Sequence, residues 1–277
     1  MIRLLRARLA QKQRTIAFPA GPVPELPARF RGLPVLDAAG CGAGCADCAA
    51  ACPTGAIQVE PAFAVDLGRC LFCGECSAAC PTAAMSFSAD YRLAAGRRED
   101  LVVREHETAR LASELDEKSR RLFGRSLKLR QVSAGGCNGC ESEINVLGTV
   151  VWDIGRFGIQ VVASPRHADG LIVTGPVTEN MRSALQAAYD AVAPPKVVIA
   201  VGACAISGGP YVDHPEAHDG AGAVVPVDLY VPGCPPHPLT ILDGLLRWLG
   251  KLEERGDDGA RRAAEGAPPT RSATPRS

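Results

Sequence analysis

The chain has 277 residues, 30 basic and 30 acidic side chains, and a formal net charge of zero at pH 7. This balance excludes the broad positive field that nucleic-acid binding uses, so no nucleic-acid partner is expected. No apolar stretch approaches the ~18 residues of a membrane-spanning helix. Neither a secretory nor a twin-arginine signal is present, which favours the cytoplasm.

Residues 1–35 are predicted to form a basic N-terminal arm. The first fifteen residues mix apolar and basic side chains in a short amphipathic pattern, which suits an anionic membrane surface or the acidic face of a partner. A frayed basic tail is the alternative. Residues 17–35 contain five prolines and are predicted to be extended.

Two runs of four cysteines follow the arm. They are Cys41, Cys45, Cys48 and Cys52, then Cys70, Cys73, Cys76 and Cys80. The second run, followed by Pro81, has the C-x2-C-x2-C-x3-C-P spacing of bacterial ferredoxins. The first run repeats it at a constant offset except at Cys41, where three residues instead of two precede Cys45. Gly42 and Gly44 give this loop the backbone freedom to absorb the extra residue.

Zinc sites and disulfides are the alternatives for these two runs. Zinc modules use C-x-x-C pairs separated by a dozen or more residues, and disulfides need an oxidising compartment. The packed spacing therefore favours iron–sulfur clusters.

The next segment, residues 96–126, is rich in charge with interspersed leucines, and we expect a solvated linker helix there. At the other end of the chain, residues 257–277 consist mainly of Arg, Ala, Gly, Pro and Ser, a composition typical of a disordered tail.

Residues 127–256 alternate short apolar runs with helical patterns, which predicts an α/β domain with a mostly parallel sheet. The predicted strands are Leu127–Val132, Ile159–Ala163, Leu171–Thr174, Val197–Val201 and Val227–Val231. The predicted helices begin near Ser142, cover Glu179–Val192, and run from about Pro238 to Leu252.

The last four cysteines, Cys137, Cys140, Cys204 and Cys234, each follow one of these strands. Carboxyl ends of parallel strands meet at one edge of a sheet, where ligands bind. We therefore expect these four thiols to converge on one cluster. A thioredoxin-like dithiol is the alternative for Cys137 and Cys140, but it leaves Cys204 and Cys234 unexplained.

The two cysteine runs resemble the two-cluster bacterial ferredoxin fold over roughly residues 36–90. The resemblance implies an α+β ferredoxin domain, placed at 36–95, with two 4Fe–4S clusters. It further implies that Cys41, Cys45, Cys48 and Cys80 hold one cluster, and that Cys70, Cys73, Cys76 and Cys52 hold the other.

The remainder of the chain resembles the small subunits of membrane-associated, complex-I-like NiFe hydrogenases, including those of formate hydrogenlyase, and the related 20 kDa subunit of complex I. The segments that carry this resemblance are Leu122–Leu127, Gly136–Glu141, Ser164–Asp169, Gly202–Ala205 and Val231–Pro236. The chain thus looks like a fusion of two neighbouring subunits. The resemblance implies a flavodoxin-like α/β domain and a proximal 4Fe–4S cluster on Cys137, Cys140, Cys204 and Cys234, the third in the chain.

Two details favour the hydrogenase branch. Complex I subunits carry adjacent cysteines at the first ligand site, whereas this chain has Asn138 and Gly139 between Cys137 and Cys140. His167 also matches the hydrogenase-like version of its segment. The implied partners are a NiFe large subunit, integral membrane subunits and an upstream formate or carbon monoxide dehydrogenase module. A quinone-reducing complex and a free-standing ferredoxin-like carrier remain as alternatives.

Four further residues are expected around the proximal cluster. Arg166 and His167 lie between two predicted strands, which would place them at the cysteine edge, where N–H donors raise a cluster's potential. A surface turn closed by Pro165 is the alternative. Glu141 and Glu143 lie in the first turn of the following helix, where carboxylates also stabilise the helix N-terminus.

Overall fold

The computed structural model describes residues 2–12, 14–42, 44–105, 109–113, 115 and 117–252. The predicted tail at 257–277 lies outside the described residues. None of the helices within those ranges is long and apolar enough to cross a bilayer.

The N-terminal arm begins with helix α1 (Ile2–Gln11), none of whose residues is buried. Residues 14–33 contain no helix or strand, in agreement with their proline content. The start of this stretch is fixed to the rest of the protein, because Arg156 donates hydrogen bonds to the carbonyls of Ile16 (2.7 Å) and Phe18 (2.8 Å).

The ferredoxin module contains two small antiparallel sheets and two short helices. Strand β1 (Pro34–Leu36) pairs with β4 (Met85–Phe87). The second sheet contains β2 (Ile57–Gln58) and β3 (Ala64–Asp66). Helices α2 (Asp47–Ala50) and α3 (Glu75–Ala79) lie within the two cysteine runs. Leu67, Met85 and Leu101 are fully buried between these elements.

The linker region differs from the single helix expected over 96–126. Val102–Arg104 form strand β5, which pairs antiparallel with β3 and completes the second sheet of the ferredoxin module. Leu101 and Val103 are buried there, and β-branched residues suit such a surface better than a solvated helix. The described helical parts of this region are a 3-10 turn (Glu99–Leu101) and α4 (Glu117–Phe123).

The second module is built on a five-stranded parallel sheet in the order β10-β9-β8-β6-β7. Its strands are β6 (Leu127–Ser133), β7 (Ile159–Val161), β8 (Gly170–Thr174), β9 (Val197–Val201) and β10 (Leu229–Val231). Every residue of β8 and β9 is buried, as is typical of central strands covered on both faces. The predicted architecture, a ferredoxin-like region followed by a mostly parallel α/β sheet, is confirmed.

Four helices accompany this sheet: α5 (Gly139–Leu147), α6 (Glu179–Ala191), α7 (Ala203–Ser207) and α8 (Pro238–Trp248). Strand β9 has the predicted bounds, whereas α5 begins three residues earlier than Ser142 and α8 ends before Leu252. The earlier start of α5 places Cys140 inside the helix, and Cys204 lies inside α7.

The two modules are joined through backbone and side chains. Ala95 and Tyr230 exchange two backbone hydrogen bonds (3.0 and 2.9 Å), so the segment that leaves the ferredoxin module extends the edge of the parallel sheet beside β10. The Ser207 hydroxyl donates to the carbonyl of Gly68 (2.8 Å). At the same junction, a Cβ on Gly244 of α8 would lie 2.5 Å from the Cβ of Ala94.

Gly244→Ala is therefore expected to destabilise the protein by about 1–3 kcal/mol through overpacking, although alanine in a helix normally gains about 1 kcal/mol over glycine. Denaturant unfolding measures the change. Adding Ala94→Gly should restore most of the loss, and Gly96→Ala, which meets no atom within 4 Å, should be close to neutral. A Gly244→Ala protein more stable than the native one would contradict the tight junction.

Candidate metal centres

The cysteines of the two runs are interleaved by the fold. Cys52, at the end of the first run, lines one cavity together with Cys70, Cys73 and Cys76 of the second. The other walls of this cavity are largely apolar and include Ile57, Val65, Leu71, Met85 and Phe87. The four sulfur atoms thus border one shared, mostly dry space.

Backbone amides point at two of these sulfur atoms. The N–H of Ala56 donates to Cys52 Sγ (3.2 Å), and the N–H of Phe72 donates to Cys70 Sγ (3.3 Å). Donors of this kind stabilise negative charge on sulfur. The loop geometry that aims them comes from the tight turns after each cysteine.

The second set of thiols contains Cys41, Cys45, Cys48 and Cys80. Burial, followed by the neighbouring thiols of Cys45 and Cys80, raises the pKa of Cys41. The pKa of Cys48 is also raised, by burial and then by Cys80 and Cys41, against a lowering backbone hydrogen bond. Cys41 therefore lies with the other three despite its irregular spacing.

Cys80 differs from its neighbours. Burial alone would raise its pKa, but hydrogen bonds from the backbone of Met85, Thr82 and Ala84 and from the Thr82 hydroxyl lower it overall. The two repeats give matching contacts, since Thr82 Oγ1 lies 3.8 Å from Cys80 Sγ and Thr54 Oγ1 lies 3.8 Å from Cys52 Sγ. The Thr54 hydroxyl, however, donates to the carbonyl of Arg69 (2.8 Å).

The third set forms at the carboxyl edge of the parallel sheet, from the ends of β6, β9 and β10. Burial, followed by neighbouring thiols that include Cys137, raises the pKa values of Cys140, Cys204 and Cys234. Gly202 allows this convergence, because it has φ +92° and a Cβ there would lie 2.4 Å from Cys140 Sγ.

The ends of β9 and β10 are fixed to each other at this edge. The N–H of Gly202 donates to the carbonyl of Val231 (2.9 Å), and the N–H of Ala203 donates to the carbonyl of Gly233 (2.8 Å). These bonds hold the cysteine-bearing loops in register beyond the end of the strands.

The electrostatics of the three sets test whether they fit a metal cluster. Burial, reinforced by neighbouring thiols, raises the pKa of Cys70 to about 12 and those of Cys76 and Cys204 to about 11, and raises that of Cys140 further above its ordinary value. Such thiols ionise together only if a cation compensates their charge, and a coordinating metal deprotonates them outright. The residues therefore fit a thiolate-bound metal cluster.

Disulfides do not fit, because all twelve cysteines are free thiols. Among the described residues, no group of three or more His, Cys, Asp or Glu side chains has the arrangement of a single-ion site. The thioredoxin-like alternative for Cys137 and Cys140 loses its basis, because Cys204 and Cys234 lie beside that pair.

The three sets also lie in series. The charge of Cys48 in one set helps to raise the pKa of Cys76 in the next set. In the same way, Cys73 of that set helps to raise the pKa of Cys234 across the module boundary. The set containing Cys70, Cys73, Cys76 and Cys52 is therefore the middle one.

The two glutamates of α5 have different surroundings. Glu141 is 5% exposed, and its Oε1 accepts hydrogen bonds from Ser133 Oγ (2.6 Å) and Thr174 Oγ1 (2.7 Å). Burial raises its pKa, but these two hydroxyls outweigh burial and lower the pKa overall. Glu141 thus ties the Cys140 turn to β6 and β8. Glu143 lines a cavity between the modules with Cys234 and His237, and burial raises its pKa.

Arg166 and His167 are not brought to the cysteine edge. They form an exposed 3-10 turn with Pro165, capped by the hydroxyl of Ser164. The flanking backbone bonds, Val162 N–H to Leu129 O and Asp169 N–H to Lys128 O, hold this turn near the start of β6.

The end of β6 at Ser133 lies four residues beyond Leu129, roughly 13 Å away at the rise of a strand. The expectation of a role beside the cluster assumed that β7 ends at the same edge as its neighbours. Strand β7 pairs with residues 127–129 of β6, so it ends four residues short of the end of β6. Arg166 and His167 therefore lie on a surface turn.

Sequence reasoning missed several supporting residues. Ser133 and Thr174, the partners of Glu141, have no sequence signal, because they meet only when β6 and β8 pair. Gly202 does have one, since a glycine between a buried strand and a cysteine indicates a close backbone approach. Thr54 and Thr82 also have a sequence signal, because each follows a proline in the repeated Cys-Pro-Thr segments.

The fold and the thiol sets define a class: a two-part iron–sulfur protein with a dicluster module joined to a parallel α/β domain. Residues 40–84 match the model of the 4Fe–4S dicluster domain. Residues 137–248 match the model of the NADH ubiquinone oxidoreductase 20 kDa subunit.

Individual relatives show more specifically which proteins the α/β domain is similar to. A probable membrane-bound hydrogenase subunit mbhJ of Pyrococcus furiosus is 43% identical over 132 residues, 48% of this chain and 79% of the relative. Formate hydrogenlyase subunit 7 of Escherichia coli is 47% identical over 131 residues, 47% of this chain and 51% of that protein. An NADH-quinone oxidoreductase subunit of Clostridium beijerinckii is 48% identical over 114 residues, 41% of this chain and 68% of the relative.

The chain therefore belongs to the family of the 20 kDa subunit of NADH:ubiquinone oxidoreductase, an oxidoreductase family that includes these hydrogenase subunits. The predicted kinship with hydrogenase and complex I subunits is confirmed. About half of the length of the formate hydrogenlyase relative is matched.

Gly202→Ala tests the third set. The new methyl group meets Cys140 Sγ and takes up a φ that costs an L-residue about 1–3 kcal/mol, so the four thiols should no longer converge. Anaerobic reconstitution should bind about four fewer iron atoms per chain than the native protein. Gly42→Ala, beside Cys41 and without neighbours within 4 Å, should keep the native iron content. Unchanged iron in Gly202→Ala would show that Cys140 is not part of a cluster site.

Proposed function

We propose that the twelve cysteines hold three 4Fe–4S clusters and that the chain is an electron-transfer subunit. The ligand sets are Cys41, Cys45, Cys48 and Cys80; Cys70, Cys73, Cys76 and Cys52; and Cys137, Cys140, Cys204 and Cys234. The observation that carries this proposal is the electrostatic coupling of the sets in series, of Cys48 with Cys76 and of Cys73 with Cys234.

When bound, such clusters supply one-electron transfer, and the protein sets their position and potential. This chain does so with its own groups. Largely apolar side chains line the cavity of the middle set. The amides of Ala56 and Phe72 stabilise charge on sulfur. The module junction at Ala95 and Tyr230 fixes the separation between the middle and third sets.

The complex to which this electron-transfer subunit belongs is proposed to be a membrane-associated NiFe hydrogenase. The C-x-x-C spacing of Cys137 and Cys140 and the similarity to the mbhJ and formate hydrogenlyase subunits support this choice. Cys137 and Cys234 are exposed, so the third set lies open at the carboxyl edge of the sheet. That edge is the proposed interface with a large subunit that carries the nickel–iron centre.

Further partners follow from the same choice. Integral membrane subunits would hold the complex on the cytoplasmic face of the inner membrane, and a formate or carbon monoxide dehydrogenase module would exchange electrons with the first set. The buried position of Glu141 assigns it to the support of Cys140, whereas Glu143 lies open to the cavity beside Cys234.

A quinone-reducing, complex-I-like assembly is the second candidate. The matching family model and the Clostridium beijerinckii relative favour it. Both candidates use the same three clusters, so they differ only in the centre that receives the electrons.

Iron analysis tests whether the chain holds three clusters. After anaerobic reconstitution the full chain should bind about twelve iron and about twelve sulfide atoms, since each cubane takes four cysteines, and no stoichiometric zinc. Reduced protein should show interacting paramagnetic clusters because the sets are adjacent. A plateau near eight iron atoms would remove one set from the proposal, and bound zinc would contradict it.

Purification of the tagged chain from its own cells tests the partner. We expect it to copurify with a nickel-containing large subunit and with membrane proteins, and to couple hydrogen production to a physiological donor. Cys204→Ser should abolish that coupling while the spectra of the two ferredoxin clusters persist. Ser142→Ala, an exposed hydroxyl in the same region, should leave it intact. A complex without nickel that reduces quinone would favour the second candidate.

A further inference from the structure

Helix α1 carries large apolar side chains that the described part of the protein does not cover. Ile2, Leu4, Leu5 and Leu9 are between 56% and 76% exposed. Ile2, Leu5 and Leu9 are spaced three and four residues apart, so they form a stripe along one face, and Leu4 lies outside it. Arg6 and Arg8 border this stripe on its two sides.

The charge of this segment has one sign. Residues 2–14 contain Arg3, Arg6, Arg8, Lys12 and Arg14 and no acidic side chain. The whole chain is balanced, with 30 basic and 30 acidic residues, so the excess at the N-terminus is local. A narrow apolar stripe bordered by cations is the pattern of a helix that lies in a lipid headgroup layer.

The structure fixes the segment that follows this helix beside a second apolar site. Thr15 Oγ1 donates to the carbonyl of Val150 (2.9 Å), and the N–H of Ile16 donates to the carbonyl of Val151 (2.9 Å). Val150 and Val151 are themselves 69% and 45% exposed. These bonds therefore hold the chain just after α1 beside the two valines of the α/β domain.

We propose that α1, together with Val150 and Val151, is a membrane-binding surface whose partner is an anionic lipid layer. The stripe enters the boundary between headgroups and acyl chains, and the flanking guanidinium groups bind lipid phosphates. Because the arm is anchored at Ile16 and Phe18, this contact would orient the cluster-bearing modules relative to the membrane. The inference deepens the membrane association in the proposed function but requires no partner chain.

Flotation of the reconstituted full chain with lipid vesicles tests the surface. The chain should bind vesicles of phosphatidylcholine and phosphatidylglycerol far better than vesicles of phosphatidylcholine alone, and added salt should release it. Arg6→Gln with Arg8→Gln should weaken binding by about tenfold or more, since each cation near an anionic surface contributes on the order of a fivefold change in affinity. Leu5→Ser with Leu9→Ser should weaken it comparably.

Matched substitutions elsewhere separate this surface from general stickiness. Leu122→Ser removes an apolar side chain that is 52% exposed on α4, and Arg182→Gln removes an exposed cation on α6. Both should bind vesicles like the native chain, and iron content should be native in every variant. The proposal is overturned if anionic vesicles fail to bind the chain, if the α1 variants bind as well as native, or if only vesicles containing integral membrane subunits bind it. Iron content and hydrogen-linked activity would be unaffected by such a failure.

Discussion

The structure depends on thiols that are buried close to one another. Burial, and after it the neighbouring thiols, raise the pKa values of Cys70, Cys140 and Cys204. A protein gains nothing from such an arrangement unless a cation compensates the charge. Several groups suit that compensated state. Backbone amides donate to the sulfur atoms of Cys52 and Cys70, and the positive φ of Gly202 allows the close approach of Cys140.

The same constraint explains why the two modules are held as one body. Electron transfer between neighbouring centres needs a fixed separation, and Cys73 and Cys234 interact electrostatically across the module boundary. The junction between the modules uses a backbone bridge from Ala95 to Tyr230 and tight packing of Ala94 on Gly244. A flexible tether would let this separation vary. The strand formed in place of a linker helix, β5, belongs to the ferredoxin module, where it pairs with β3.

The surroundings of the third set differ from those of the first two. The ferredoxin sets are supported by local turns, in which a backbone amide or a threonine two residues on faces the sulfur atoms of Cys52, Cys70 and Cys80. The third set is supported by long-range contacts between strand ends, with Glu141 bound to Ser133 and Thr174 on two neighbouring strands. Local support repeats with the sequence, whereas long-range support appears once, which is why one kind is recognisable as a motif and the other is not.

The amino-acid sequence was enough to predict the iron–sulfur chemistry, because thiol spacing reflects the short loops that bring ligands together and does not depend on distant residues. It also determined the parallel sheet and the placement of Cys204 and Cys234 after strands, since buried strands have unbroken apolar runs. Three features became apparent only from the fold: the strand at Val102–Arg104, the partners of Glu141, and the position of Arg166 and His167 away from the cysteine edge. Each of these depends on strand register, which pairs residues far apart in the chain and leaves no local pattern.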